Sequence, residues 1–268
     1  MSINSARPSI GQLKHSTGKT LNIKYRSFFF LGLLAFLFTA QPVLAAEESN
    51  DEWKYHGSIY LWGSDIHLED ADGDDNEISF NDIVETLDIA AMGGFGAQKD
   101  KLGFQIDAIY LDTTDSDNNT LRPGITLTDV ELTAIILTPM ATYRVVDDGQ
   151  INLALLGGVR YLDMDINAKF DSISDAGDDA STTDGVIGFR GDVKLNKNWY
   201  LPFYYDVGKG DSALTYQAFA AIVYKYSSFD LGAGYRYLKF KFDDDEDFGG
   251  LLNHLIIQGP QIGAKFWF

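Results

Sequence analysis

The sequence contains no cysteine, which excludes both a disulfide framework and a thiolate metal centre, so the fold must be held by other means. Histidine is scarce, four in 268 residues, and there is no G-x-S-x-G motif in which a nucleophilic serine could sit. Basic residues are outnumbered: 21 Lys and Arg stand against 39 Asp and Glu, a formal net charge of -18. Nucleic acid is therefore not an expected partner. Long apolar runs are missing too. Phe28 to Ala40, "FFFLGLLAFLFTA", has 13 residues, well short of the roughly 20 that a membrane-spanning helix needs.

That run has another use. Lys24 and Arg26 precede it and "QPVLAA" follows, where Val43-Leu44-Ala45 or Leu44-Ala45-Ala46 suits signal peptidase. A positive n-region, a short apolar region and a small-residue cleavage site predict a secretory signal. Residues 1–46 are thus expected to be an N-terminal extension and signal peptide, and 47–268 the exported domain. Removing 1–46 leaves 16 basic and 39 acidic side chains.

Beyond Glu47 the chain alternates with a period of two rather than 3.6. In "NWYLPFYYDV", Trp199, Leu201, Phe203, Tyr205 and Val207 share one face. In "DLGAGYRYL", Leu231, Ala233, Tyr235 and Tyr237 oppose Asp230, Gly232, Gly234 and Arg236. Such patterns predict ten strands near 53–67, 88–98, 101–112, 128–145, 150–168, 183–195, 198–208, 213–226, 228–242 and 254–268. Eight is the alternative if 88–98 or 213–226 is mispaired. Short connections ("QKDK", "VDDGQ", "LNKN", "YSS") alternate with long ones at 69–88, 112–128, 169–183, 208–214 and 242–254. An all-β, antiparallel up-and-down transmembrane barrel has this plan, with short periplasmic turns and long extracellular loops. The long connections hold 22 acidic residues against Arg122, Lys169 and Lys209.

A soluble barrel would alternate as well, so the polar face has to decide. It is rich in glycine: Gly94, Gly96, Gly158, Gly188, Gly232, Gly234, Gly259 and Gly263. Glycine weakens a strand and is best explained by crowding in a concave interior. The apolar face would then meet lipid, with Phe266 and Phe268 outward at the rim.

The segments "IYLW" (59–62), "SFNDIVETLD" (79–88), "DAIYLD" (107–112), "GVRYLD" (158–163), "GFRGDV" (188–193), "GYRYL" (234–238) and "GP" (259–260) resemble a widespread group of small Gram-negative outer-membrane β-barrel proteins. The likeness runs over most of 47–268. It implies residence in the outer membrane, among lipid and lipopolysaccharide. It also implies recognition by the barrel assembly machinery through the aromatic end, Phe266 and Phe268. It implies no activity and no cofactor.

Three constellations bear on function. Arg160 and Arg236 recur in G-x-R-Y-L and Arg190 follows Gly188; the preceding glycine on the same face would leave room for each guanidinium. Asp107, Asp206 and Gln217 fall at similar depth, so the six are expected to form one charge network in the lumen, since charges held from water need partners. Such a network closes the lumen; the alternative is a narrow porin-like channel for small solutes. Second, Asp65 and His67 share a strand face that also carries Ile59 and Leu61, the expected lipid side. A hydrolase is the weaker alternative, and the chain is not expected to be an enzyme. Third, the acidic runs 69–77, 175–179 and 243–247 do not fit an EF-hand, because Asp75 stands where glycine is needed and Asn81 where the bidentate Glu belongs. They are expected to be solvated loops, with weak divalent-cation binding the sharper alternative. "FNDIVETL" (80–87) could make two helical turns over the barrel mouth.

Overall fold

The computed structural model describes residues 52–268 apart from 70–74, 79–86, 116–118, 123–124, 171–175 and 243–252. The strands are β1 (Lys54–Trp62), β2 (Asp65–Glu69), β3 (Asp75–Ile78), β4 (Leu87–Lys99), β5 (Leu102–Asp115), β6 (Asn119–Arg122), β7 (Ile125–Asp147), β8 (Ile151–Phe170), β9 (Ala176–Lys194), β10 (Trp199–Gly210), β11 (Leu214–Lys225), β12 (Phe229–Lys241) and β13 (His254–Trp267). All pairings are antiparallel, and β1 pairs with both β4 and β13, so the sheet closes on itself. β1 and β2 are one barrel strand, because Trp62 faces Gln261 and Asp65 faces Gln258 in a single register along β13. The gap between them has a local cause. Gly63 N–H donates to the Pro260 carbonyl at 2.9 Å, and proline has no N–H with which to return the bond. β3 and β6 are short returns on β2 and β7. The barrel therefore has ten strands, as the alternation predicts, and not eight.

The short turns are locally encoded. Asp100, between β4 and β5, has φ 50° and Gly149, between β7 and β8, has φ 88°, values that Asp tolerates and Gly favours. The Ile151 and Gln150 amides donate to Asp148 Oδ1 at 2.7 and 2.9 Å, which holds that exposed carboxyl below its ordinary pKa. Asn196 Oδ1 accepts from the amides of Asn198 and Trp199 in the turn after β9.

Two expectations at the opposite end are corrected. β9 begins at Ala176 rather than 183, its backbone paired with β8 as far as Ala168; "AGDDASTT" has no apolar alternation to announce a strand. The connection expected at 208–214 is a turn of Asp211, Ser212 and Ala213, pinned by Thr183 N–H on Asp211 Oδ2 (2.8 Å) and Ser212 N–H on Asp184 Oδ1 (2.9 Å). Segment 80–87 lies outside the described residues except for Leu87, and 1–46 lies outside them entirely.

The register fixes which side chains face in. At the short-turn end the outer face is apolar, with Phe104 and Ile106 on β5, Leu155 and Val159 on β8, and Leu231 and Tyr235 on β12 all exposed. Ring contacts link an aromatic girdle there. Trp53 lies 6.0 Å from Phe104, and Phe95 lies 6.1 Å from Tyr55 and 6.2 Å from Phe268. Phe266 lies 6.1 Å from Phe229, which leads through Tyr226 and Tyr224 to Trp199. Further along the same face come Tyr110, Tyr161, Tyr216 and Tyr237. Tyr110 donates to Asp112 at 3.1 Å and Tyr161 to Asp163 at 2.6 Å, as amphipathic rings do at a lipid boundary. From Leu102 to Asp112 the outer face of β5 covers about 25 Å, taking a rise of about 3.3 Å per residue and a tilt of about 40°. That matches the hydrocarbon band of an outer-membrane barrel.

Past the tyrosines the faces exchange character. Asp163 and Asp165 on β8 and Lys239 and Lys241 on β12 point outward. Leu162, Met164, Leu238, Phe240 and Phe242 fill the inside, joined by Trp62, Ile66, Ile109, Leu111, Ile136 and Leu255. A uniformly polar interior is therefore corrected: the charged inward side chains lie in the short-turn half and at its upper edge, where Met140, Leu156 and Val223 also face in. Above the tyrosines the outer surface carries charge, and apolar side chains have the interior left to them.

Candidate functional site in the barrel lumen

All eight glycines named from the alternation do face inward. The space beside the G-x-R glycines is nonetheless filled by neighbouring strands rather than by guanidinium groups. A Cβ at Gly158 would meet the Pro139 carbonyl and Met140, and one at Gly188 the Tyr205 carbonyl and Asp206. At Gly234 it would come within 2.5 Å of the Ala221 Cβ. These glycines let strands curve tightly against one another around a narrow barrel.

Just below the apolar cluster lie two ion-pair networks. In one, Arg236 donates to Asp107 Oδ2 at 2.6 Å, to Gln217 Oε1 at 2.9 Å and to the Tyr60 hydroxyl at 2.8 Å. Tyr60 in turn donates to Asp107 Oδ1 at 2.8 Å. The Arg236 guanidinium lies 4.8 Å from the centre of the Trp62 ring, so it meets carboxylate and amide on one side and an aromatic face on another. In the second network Arg160 donates to Asp206 Oδ2 at 2.5 Å and to Thr215 at 3.0 Å, and Tyr204 donates to the same carboxylate. Arg160 and Asp206 have no exposed side-chain surface at all.

Of the six lumen residues expected from sequence, five are therefore engaged in two clusters rather than one. Arg190 is the exception. It faces Tyr204 and Ala154 across the sheet, whereas Asp206 faces Gly188. That places Arg190 two residues nearer the short-turn end, outside both networks. Asp184, Thr215, Tyr60 and Tyr204 complete the buried layer and were not singled out from sequence. Tyr60 and Tyr204 were within reach, because each sits on the strand face opposite the expected lipid-facing residues.

Below the networks the lumen opens. A cavity of about 200 Å³ lies beside Asp107, Gln217 and Arg236. A second of about 470 Å³ reaches the turn at Asn196, Lys197 and Asn198. They share Gln105, Arg190, Tyr200, Asp230 and Lys265 in their walls, and so adjoin in a vestibule in the short-turn half of the lumen. Asp65 and His67 stand elsewhere, on the outer face of β2, where His67 Nε2 is 3.2 Å from Gln258 Nε2. Among the described residues no three His, Asp or Glu side chains converge as metal ligands, and the side chains of 69–77, 175–179 and 243–247 lie largely outside them. The last residues run as expected. Phe266 and Phe268 point outward, and Phe268 exchanges backbone hydrogen bonds of 3.1 Å with Tyr55.

A closed barrel with a lipid-facing apolar band between aromatic girdles decides the class. The fold is that of an outer-membrane β-barrel. Solved structures of similar fold include the outer membrane protease OmpT from Escherichia coli, 11% identical over 84% of this chain and 99% of that one, TM-score 0.44. The attachment invasion locus protein Ail of Yersinia pestis is 9% identical over 81% and 99%, TM-score 0.36. The translocator domain of the autotransporter NalP from Neisseria meningitidis is 11% identical over 91% and 95%, TM-score 0.44. No family model and no curated protein matches the chain.

Proposed function

We propose that the chain is an outer-membrane barrel of a Gram-negative bacterium, exported through the signal in 1–46, with a closed lumen and a structural rather than enzymatic role. The observation that carries this reading is the Arg160–Asp206 pair at 2.5 Å with no exposed side-chain surface, lying directly beneath the apolar cluster. Hydrated ions meet a buried ion pair and then a layer packed mainly with apolar side chains, in which Ser64, Thr113 and Thr182 are the buried hydroxyls, and an apolar constriction is itself a barrier to conduction. The outer apolar band fits membrane lipid and lipopolysaccharide, and Phe266 and Phe268 fit a signal read by the assembly machinery. Phe268→Ala should then lower the heat-modifiable, folded fraction in outer membranes without reducing delivery to the periplasm.

Conductance of refolded barrel in a planar bilayer tests the closed lumen. The expected result is a membrane no leakier than the protein-free control. Steady ohmic steps in the wild type would replace this reading with that of a narrow solute channel.

A further inference from the structure

The short-turn half of the lumen carries an excess of positive charge on a chain whose net charge is -18. Arg190, Lys194, Lys197, Lys225 and Lys265 line the larger cavity. Only Asp192 and Asp230 offset them there, five cations against two carboxylates, and the hydrogen bonds those carboxylates accept come from neutral groups. Asp192 accepts from Asn152 at 3.1 Å, and Asp230 accepts from the Tyr200 hydroxyl at 2.8 Å and from the Trp267 indole at 3.1 Å. Among the described residues no carboxylate lies within 4.0 Å of any of the five cations, whereas Arg160 and Arg236 each hold one.

Arg190 is the sharpest case. It projects into the lumen from the middle of β9, lines both cavities, and makes no hydrogen bond to another described residue. A guanidinium drawn out of bulk water with no hydrogen-bonded carboxylate is costly, and its planar fork is suited to a carboxylate or phosphate. Lys265 also lines both cavities, its ammonium 4.8 Å from the centre of the Trp267 ring. Two cations facing a cavity of about 470 Å³ that reaches the turn at Asn196, Lys197 and Asn198 make a site within the size range of small-ligand pockets, about 300–1,000 Å³.

We infer that the vestibule is a binding site for a small solute bearing a carboxylate or phosphate, which enters from the short-turn side and is held by Arg190 and Lys265 beneath the closed layer. Lys194, Lys197 and Lys225 at the mouth raise the local concentration of anions. The inference goes beyond the closed-barrel reading, because an anion would bind here whether or not the barrel conducts.

The test is calorimetric titration of the refolded barrel in neutral detergent with inorganic phosphate and, separately, succinate, against chloride at matched ionic strength. Intrinsic tryptophan fluorescence, with Trp199 and Trp267 in the cavity wall, serves as a second readout. Saturable binding of at least one probe is expected. Arg190→Gln should weaken it about tenfold or more, as loss of a charge-assisted contact does, while Lys241→Gln on the outer face should leave it unchanged. Removing an unpaired charge should leave the urea midpoint of Arg190→Gln at or above that of the wild type. Absence of saturable binding by either probe would overturn the inference. So would binding that Arg190→Gln leaves intact, or a clear fall in that variant's midpoint, which would make Arg190 a structural residue.

Discussion

The two halves of the lumen are built from the same strands, on the same inward-facing positions, and differ in chemistry: the lower half mixes charged, small and apolar side chains, and the upper half is packed mainly with large apolar ones. On β12, Asp230, Gly232 and Gly234 face in below Arg236, while Leu238 and Phe240, and Phe242 just past the strand, face in above it. On β8, Ala154, Leu156 and Gly158 lie below Arg160, with Leu162 and Met164 above. The changeover coincides with the tyrosines on the outer face. Below them the outside of the barrel is lipid, apolar side chains go outward, and the interior can be polar and hydrated. Above them the outside is charged, and the barrel packs as a soluble one does, with its apolar core inside. The arginines of G-x-R-Y-L stand at the seam. Each such motif sets, in five residues, a glycine for close strand approach, an arginine for the ion-pair layer, an outward tyrosine for the boundary and an inward leucine to begin the core.

If the seam is what closes the lumen, its most buried pair carries the largest effect. Arg160→Ala leaves the Asp206 carboxylate enclosed without its partner, which typically costs about 3–5 kcal/mol. Urea unfolding of the refolded barrel should show it as a lowered midpoint. Replacing both residues together, Arg160→Met with Asp206→Leu, should cost less than either single change. Arg236→Ala should cost less than Arg160→Ala, because Asp107 keeps 17% side-chain exposure on the vestibule side and water can take over part of the solvation. Equal losses at the two arginines would show that the two networks do not differ in enclosure.

The apolar half should respond to volume and the vestibule should not. Leu162 is fully buried in the core cluster, and Leu162→Ala should cost about 2–5 kcal/mol through lost burial and the cavity left behind. Lys194→Ala, at an exposed position in the vestibule wall, should stay within about 0.5 kcal/mol, as substitutions against water do. Comparable losses at the two positions would mean that the vestibule is packed rather than hydrated.

Much of this arrangement was legible in the sequence, and the limits have physical causes. Ten strands, the inward glycines, and Arg236 with Asp107 and Gln217 all follow from a period of two, which reports face but not solvent. The exchange at the tyrosines escaped because a face is read by its average over a whole strand, and an average conceals a reversal part-way along. A local signal was present in "YLD" at 110–112 and 161–163, where an acid follows a tyrosine on the outer face and the intervening leucine has changed sides. Arg190 shares the Gly-x-Arg pattern of the other arginines, but position along a strand does not report stagger between strands, and the register of β9 against β10 lowers it by two residues. Asp184 escaped because the stretch before it, "AGDDASTT", has too little apolar alternation to fix either a strand or its inward face.

A charge placed on the outer face tests the boundary itself. Ile187 is 68% exposed in the middle of the apolar band, so Ile187→Lys should cost about 2–4 kcal/mol for a barrel refolded in bilayers, the range for a lysine near the midplane. Thr133→Lys, outward on β7 beside Asp112 and beyond the tyrosines, should cost no more than about 1 kcal/mol. Similar costs at both positions would place the membrane boundary elsewhere.

The smallest expected effect concerns the boundary tyrosines. Tyr161 donates to Asp163 Oδ2 at 2.6 Å, and Tyr161→Phe removes that hydroxyl while keeping the ring. In a surface position fully open to water the lost hydrogen bond would be replaced at once, and nothing measurable would follow. At the edge of the hydrocarbon the replacement is incomplete, so a loss of about 0.5–1.5 kcal/mol is expected. Asp163→Asn keeps an acceptor for the hydroxyl and should lose less. The comparison depends on the surrounding lipid, so the Tyr161→Phe deficit should shrink in detergent micelles, where water reaches the outer face more readily. A deficit of the same size in micelles and bilayers would mean that Tyr161 acts within the barrel wall alone, and the position of the seam would then have to rest on the inward leucines.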